Sequence, residues 1–494
     1  MPNYLASKLS SKNDNLLTNI PVNHLTRFVL SMAISDKTFR KLQDIVGKSN
    51  FSRAKEDLVC YAYDATAQTY LPDAVLFPQN ALQVSSILKL ANKDSFFVIP
   101  RGAGSGMTGG SLAVKGGIIL AMTRFNRIIE IDKENLIAHV EPGVVTGRFH
   151  EAVEKENLFY PPDPSSSEFC TLGGNLAECA GGPRAVKYGV TRDYVLGIEA
   201  VLPTGEIINI GVSTAKGVVG YDLTRLFIGS EGTLGVITRM TLRLLPLPDA
   251  VRTLTAVFNN IESAAKTVSA IIRCGIIPRT IEYMDNASIR CVEEYLNMGL
   301  PVNSEALLLI EVDGKEKEVE IAINQLEELC ISQGAANVKK AETKEDAAKL
   351  WKARKAISPA LFRYGPYKIN EDIVVPRNKI PDMVKKIDEL RKKTGLSMVS
   401  FGHAGDGNIH FNIMLDKKNK EELKKAEVAV EALFNYTLKL GGTISGEHGV
   451  GITKAPYIEK EIGAVELGLM KKIKKVFDPN GVLNPGKIFP IESS

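Results

Sequence analysis

The segment Pro100-Arg-Gly-Ala-Gly-Ser-Gly-Met-Thr-Gly-Gly110 decides how the chain folds. Gly104, Gly106 and Gly109 satisfy the spacing GxGxxG, which in a βαβ unit opens a helix over a dinucleotide pyrophosphate. Here Ser111-Leu-Ala-Val-Lys-Gly-Gly117 follows, and then the β-rich run Ile118-Ile-Leu-Ala-Met122. Two glycines and an immediate strand put the loop between strands, which argues against a Rossmann unit. Glycines still let successive backbone N–H groups turn inward and approach a phosphate closely. A wide glycine loop without a ligand would read the same way.

Two further loops share this texture. Tyr160-Pro-Pro-Asp-Pro-Ser-Ser-Ser167 leads to Thr171-Leu-Gly-Gly-Asn-Leu-Ala177 and Ala180-Gly-Gly-Pro-Arg-Ala-Val-Lys-Tyr-Gly189. Gly229-Ser-Glu-Gly-Thr-Leu-Gly-Val-Ile-Thr238 again sets glycines before a β-branched run. Three such loops among short strands suggest one long ligand threaded between elements.

Working outward, residues 1–70 read as helical and mixed, and the apolar stretch Arg27–Ser35 as one side of a helix. Residues 71–250 alternate short strands with turns, with a helix over 80–92. Two prolines in Leu245-Pro-Leu-Pro-Asp-Ala250 mark a boundary. Residues 251–445 read as an α+β domain with an antiparallel sheet and amphipathic helices over 314–333 and 416–440. Residues 446–494 form a glycine-rich, then helical tail.

Lys and Arg number 61 against 57 Asp and Glu, so the charge gives no case for nucleic acid or an anionic membrane as partner. No apolar run reaches the ~18 residues of a membrane span, and the polar start does not read as a secretory signal. None of the six cysteines forms a CxxC pair, which speaks against a zinc ribbon or an iron–sulfur site. Scattered cysteines suit a reducing cytosol. Cys60, Cys274, Cys291 and Cys330 read as small core residues, and His24, His139 and His150 as structural or surface residues. Lys417 to Lys425 read as a solvated helix face.

His403 and His410 flank Ala-Gly-Asp-Gly-Asn, a strong turn sequence that would bring two imidazoles to one face of a hairpin. Glu447 and His448 lie in Ser445-Gly-Glu-His-Gly-Val-Gly451. Two imidazoles and a carboxylate suit a borderline metal; satisfied core histidines fit the spacing equally. Arg354 and Ser358 share a helix face, and a guanidinium fork suits a carboxylate. A solvated basic helix is the plain alternative.

The motifs PRGAGSGMTGG, YPPDPSSSEFCTLGGNLAECAGGPRAVKYG, GSEGTLGVIT, GHAGDGNIH, SGEHGVG and FDPNGVLNPGK, in this order over about residues 50–490, resemble the FAD-linked oxidases of the vanillyl-alcohol-oxidase type. The match is to their D-lactate dehydrogenase, glycolate oxidase large subunit and D-2-hydroxyglutarate dehydrogenase branch. The resemblance implies an α+β fold: a two-subdomain FAD-binding domain and a ferredoxin-like cap. It implies that Arg101, Gly102, Ala103, Gly104, Ser105, Gly106, Thr108 and Gly109 wrap the pyrophosphate. Pro162, Asp163, Gly173, Gly174, Asn175, Ala177 and Gly181 would line the flavin and ribityl chain. Glu231, Gly232, Gly235 and Ile237 would lie nearer the adenine, and Asn484 would return to the flavin. Ser105 stands where some relatives carry a flavin-linking histidine, so FAD is expected to be non-covalent.

By the same resemblance, His403, His410 and Glu447 hold a divalent metal (zinc, manganese or iron), and His448 is the base. Arg354, Ser358 and Lys368 hold substrate carboxylates; Asn412, two residues past His410 on the same strand face, is expected from that spacing to orient the substrate. The implied reaction is oxidation of a D-2-hydroxy acid, D-lactate or glycolate, by hydride transfer to flavin. A D-2-hydroxyglutarate enzyme, an FAD electron-relay subunit and the ether-lipid synthase of the same scaffold are the alternatives. The synthase carries a histidine run that this chain lacks. The expected electron acceptor is an iron–sulfur subunit, an electron-transferring flavoprotein or a small acceptor. A homodimer and a cytoplasmic location, at most peripheral to the inner membrane face, complete the expectations.

Overall fold

A computed structural model describes residues 34–490. His24 and most of the Arg27–Ser35 stretch lie outside the described residues. The first strands are β1 (Phe51–Ser52), β2 (Ala74–Leu76), β3 (Val98–Arg101) and β4 (Ile118–Ala121), in the spatial order β1-β2-β4-β3. β3 and β4 run parallel, from Val98 opposite Ile118 to Arg101 opposite Ala121. A parallel crossover is usually a helix; here residues 102–117 make it as the glycine loop. The helix Ala81–Asp94 covers this sheet with Val84, Ile87, Leu88 and Ala91, one apolar stripe at helical spacing. Asn80 caps that helix by accepting from the Gln83 N–H.

The chain continues with β5 (Ile128–Asp132), β6 (Ile137–Val140), β7 (Leu158–Phe159), β8 (Val195–Val201), β9 (Ile207–Gly211), β10 (Val236–Arg243) and β11 (Leu245–Pro246). Five form an antiparallel sheet ordered β5-β6-β10-β8-β9, while β7 pairs with β11. Val201 and Val236 pack into the core under the first sheet, which joins the two sheets.

The last strands are β12 (Ala250–Phe258), β13 (Thr280–Asp285), β14 (Ala306–Gly314), β15 (Asn337–Lys340), β16 (Tyr367–Val374), β17 (Ser397–His403) and β18 (Asn408–Leu415). They make one antiparallel sheet ordered β15-β12-β14-β13-β17-β18-β16. Alternate residues of β14 enter different cores: Leu308 and Ile310 on one side, Leu307 and Leu309 on the other. Both faces are therefore covered, which explains why β14 is apolar at consecutive positions. The helices Ile261–Arg273, Glu316–Ser332, Ile380–Thr394 and Lys420–Lys439 cover the first side. Asn286–Leu296 and Lys344–Ala360 cover the second. Two cysteine expectations are corrected: Cys60 and Cys274 are exposed, because each ends a helix at the surface, whereas Cys291 and Cys330 are core residues.

Candidate active site

The second face of the large sheet carries the polar cluster. His403 closes β17 opposite Asn408, and His410 follows two residues along β18. Strand alternation keeps these positions on one face, together with Asn412. Asp372 lies opposite His410, Asn370 opposite Asn412, and Glu282 opposite His403. Four neighbouring strands thus project imidazoles, carboxylates and amides to one side. Gly407 makes the β17–β18 turn at φ +89°, a conformation that L side chains rarely adopt.

The two imidazoles meet with Nε2 atoms 3.4 Å apart, and Glu447 Oε1 lies 3.5 Å from each. His403 Nδ1 bonds Glu282 at 2.6 Å, and Glu282 also pairs with Arg354 at 2.6 Å. Burial disfavours charge on His403, but Glu282 and Glu447 outweigh it and hold its pKa well above the ordinary range. Burial holds His410 well below that range. His448 stacks on His410 with ring centres 5.2 Å apart, and its Nδ1 stands 3.4 Å from Asp372. Burial lowers its pKa, leaving a neutral ring able to accept a proton.

His448 is positioned by two buried carboxylates that grip its loop. Asp372 Oδ2 accepts from the N–H groups of Gly446, Glu447 and His448 at 2.9, 2.6 and 3.0 Å, and Lys454 bonds Asp372 Oδ1. Glu231 accepts from Val450 and Gly451, each at 2.7 Å. One carboxylate comes from the seven-stranded sheet, the other from the loop before β10. Thr108 of the glycine loop adds a bond to the His448 carbonyl.

Of these groups His410, Glu447, His448 and Glu231 border a cavity of about 1180 Å³, beyond the usual volume of a small-ligand pocket, whereas His403 and Asp372 are not in its wall. Arg101, Gly102, Ala103, Gly104, Ser105, Gly106, Gly173, Gly174, Asn175, Ala177, Glu231, Gly232, Gly235 and Ile237 line it. Ser358, Lys368, His410, Glu447 and His448 line its other end. Lys368 Nζ donates to Ser358 Oγ at 2.8 Å, and burial lowers the lysine pKa to about 8.

Several anticipated residues stand elsewhere. Arg354 is not in the cavity wall; buried against Phe401, it gives its charge to Glu282. Asn412 is fully buried behind Asn370, which donates to it at 2.6 Å. Thr108, Gly109, Pro162, Asp163, Gly181 and Asn484 also lie outside the wall. Asn484 instead donates to the carbonyls of Gly110 and Glu231, joining two loops. Asp163 pairs with Arg184 at 3.1 Å, the Pro162 carbonyl meets His150, and Gly181 packs beside Glu447. The Arg101 guanidinium lies against Gly104 within the loop and donates to the Tyr63 carbonyl and Ser111 Oγ.

The sequence reading did not single out Glu282, Asp372 and Lys454, which bond within the cluster, or Lys355 and Glu178, which line the cavity. The alternation Lys368-Ile-Asn370-Glu-Asp372 held a signal for Asp372; Glu282 gave none.

A family described as FAD binding domain matches residues 72–211, and one described as FAD linked oxidases, C-terminal domain, matches residues 247–488. The glycolate oxidase subunit GlcD of Bacillus subtilis is 46% identical over 91% of this chain and 96% of its own length.

The chain belongs to the FAD-linked oxidases of the vanillyl-alcohol-oxidase type.

This FAD-linked oxidase is also 37% identical to a D-lactate dehydrogenase of Anaerostipes hadrus, over 84% of this chain and 89% of that one. Its fold matches a solved p-cresol methylhydroxylase with a TM-score of 0.75, at 18% identity, over 94% of this chain and 99% of that one. The class is α+β with the FAD-binding fold expected. The cavity suits the dinucleotide in size, and its glycine-rich wall presents backbone that its packing keeps free of side chains. A Cβ at Gly104 would strike the Arg101 guanidinium, and one at Gly102 the Thr171 hydroxyl. No helix among the described residues is long and apolar enough to cross a membrane.

Proposed function

We propose that this flavoenzyme oxidises a small D-2-hydroxy acid, glycolate or D-lactate, to the 2-oxo acid. The observation that carries the reading is the place of His448: beside the His403–His410–Glu447 cluster, in the wall of the cavity that the glycine loops border. Lys368 and Ser358 hold the substrate carboxylate in this reading. His448 accepts the hydroxyl proton, and Asp372 keeps the ring oriented. Asn370 faces the substrate with Asn412 bracing it. Arg354 acts through Glu282, so the two bring no net charge to the pocket, which favours a monocarboxylate over a diacid.

His403, His410 and Glu447 would hold a divalent zinc, manganese or iron ion, an N/O set that does not choose among them. Such a cation supplies acidity to a nearby hydroxyl. FAD supplies a two-electron acceptor for hydride. The name of the Bacillus relative, a subunit, supports a protein partner as electron acceptor; an iron–sulfur subunit or an electron-transferring flavoprotein has that chemistry. A cytoplasmic site of action and a homodimer belong to the same proposal.

The test is an anaerobic screen of metal-replete protein with D- and L-acids side by side, read by flavin absorbance. Bleaching by glycolate or D-lactate is expected. A protein that stays yellow with both would overturn the reading.

A further inference from the structure

Glu178 ends the short helix Leu172–Glu178 and lines the cofactor cavity, yet no hydrogen-bond partner satisfies its Oε2. Its carboxyl lies between two backbones. Oε1 lies 2.8 Å from where a Cβ on Gly110 would stand and 4.0 Å from one on Gly106, while Oε2 crowds Gly449. Glu231 Oε1 lies 2.9 Å from that same point beside Gly449, so the two carboxyl groups are neighbours.

Two lysines, Lys454 and Lys487, act on Glu178, and neither bonds it. Glu231 is satisfied by two backbone N–H groups, and Lys454 is taken up by Asp372 and Ser445. Burial, then the like charges of Glu231, Asp64 and Asp372, push the Glu178 pKa well above the carboxylate range. A buried carboxyl with no bonded counter-charge keeps its proton. An anion there would also repel a dinucleotide pyrophosphate, whereas a neutral acid can donate to an acceptor atom.

We propose that Glu178 is a cofactor-binding residue: a carboxyl in the cavity wall, without a hydrogen-bond partner in the protein for Oε2, that donates a hydrogen bond to bound FAD. The role is distinct from the contacts of the glycine loops, which are made by backbone. It depends on FAD binding alone and not on which acid is oxidised, so it stands or falls separately from the substrate reading.

The experiment measures FAD affinity of the apoprotein by fluorescence quenching for wild type, E178Q and E178M, with circular dichroism and melting temperature of each apoprotein. Glutamine is uncharged and keeps a donor; methionine keeps the bulk and loses it. E178Q should bind FAD like the wild type, and E178M about three- to tenfold more weakly, the worth of one neutral hydrogen bond. The bound-flavin absorption maximum should move in E178M and not in E178Q. Unchanged affinity in a folded E178M would overturn the proposal. So would a comparable loss in E178Q, which would mean that the negative charge is needed; this arm remains decisive if E178M fails to fold.

Discussion

His403 Nε2 faces His410 Nε2 across 3.4 Å, with Glu447 Oε1 3.5 Å from both. Because His403 Nδ1 is committed to Glu282, a neutral His403 presents its Nε2 lone pair to the same point. His410 is kept neutral by burial. A divalent cation would displace the proton that Glu282 and Glu447 favour on His403, leaving two imidazole lone pairs and a carboxylate oxygen to surround it.

Purified protein should therefore carry a divalent metal, detected by plasma mass spectrometry, and H410A should lose it. E282Q should weaken metal binding about 10- to 100-fold, since Glu282 orients a ligand without being one. Turnover insensitive to chelators, in protein free of metal, would contradict the assignment.

Lys368 gives the pH dependence. Burial brings its pKa to about 8, so it is a cation below that pH and neutral above it. Carboxylate binding needs the cation, so KM for the hydroxy acid should be flat below pH 8 and rise above it. In K368M the KM should be higher and lose this inflection. Stability follows its own sign: between about 8 and the unfolded value of 10.5 the unfolded chain binds more protons, so this residue's unfavourable contribution shrinks as pH rises through that window.

Glu231 ties the loop before β10 to the His448 loop through Val450 and Gly451. E231A leaves two buried N–H groups unsatisfied, at about 1–3 kcal/mol each. Its melting temperature should fall, and its turnover should drop with it because His448 is no longer held. E231Q keeps an acceptor oxygen for one donor and should lose less on both measures.

Gly104 has φ +73°, and a Cβ there would collide with the Arg101 guanidinium. G104A should cost about 1–2 kcal/mol in backbone strain alone. The loss should appear as weaker FAD retention during gel filtration, with secondary structure unchanged. Full retention would show that the loop has more room than its backbone indicates.

Much of the scaffold was legible because it depends on local chemistry. Glycine pairs followed at once by β-branched residues excluded a Rossmann helix at Gly104–Gly110, and β3 and β4 are indeed joined without one. The helices Glu316–Ser332 and Lys420–Lys439 follow their amphipathic spacing. The turn chemistry of Ala404–Gly407 was enough to bring His403 and His410 together. Arg354 went the other way. Its type suited a substrate carboxylate, but the partner that claims it, Glu282, is 72 residues distant in sequence, and neither residue carries a local mark of the pairing.

Periodicity and glycine placement thus determined that glycine loops would lie between strands and that a turn would pair two imidazoles, because each depends on residues a few positions apart; the dinucleotide entered through the family resemblance of the motifs. Tertiary structure alone decided which buried charges neutralise one another: Asp372 gripping the Gly446–His448 backbone, Glu231 gripping Val450 and Gly451, Glu282 occupying Arg354. A charge in a low-dielectric interior is settled by whichever opposite charge or dipole packs against it, and contact across a sheet or between loops leaves no trace in the order of the residues.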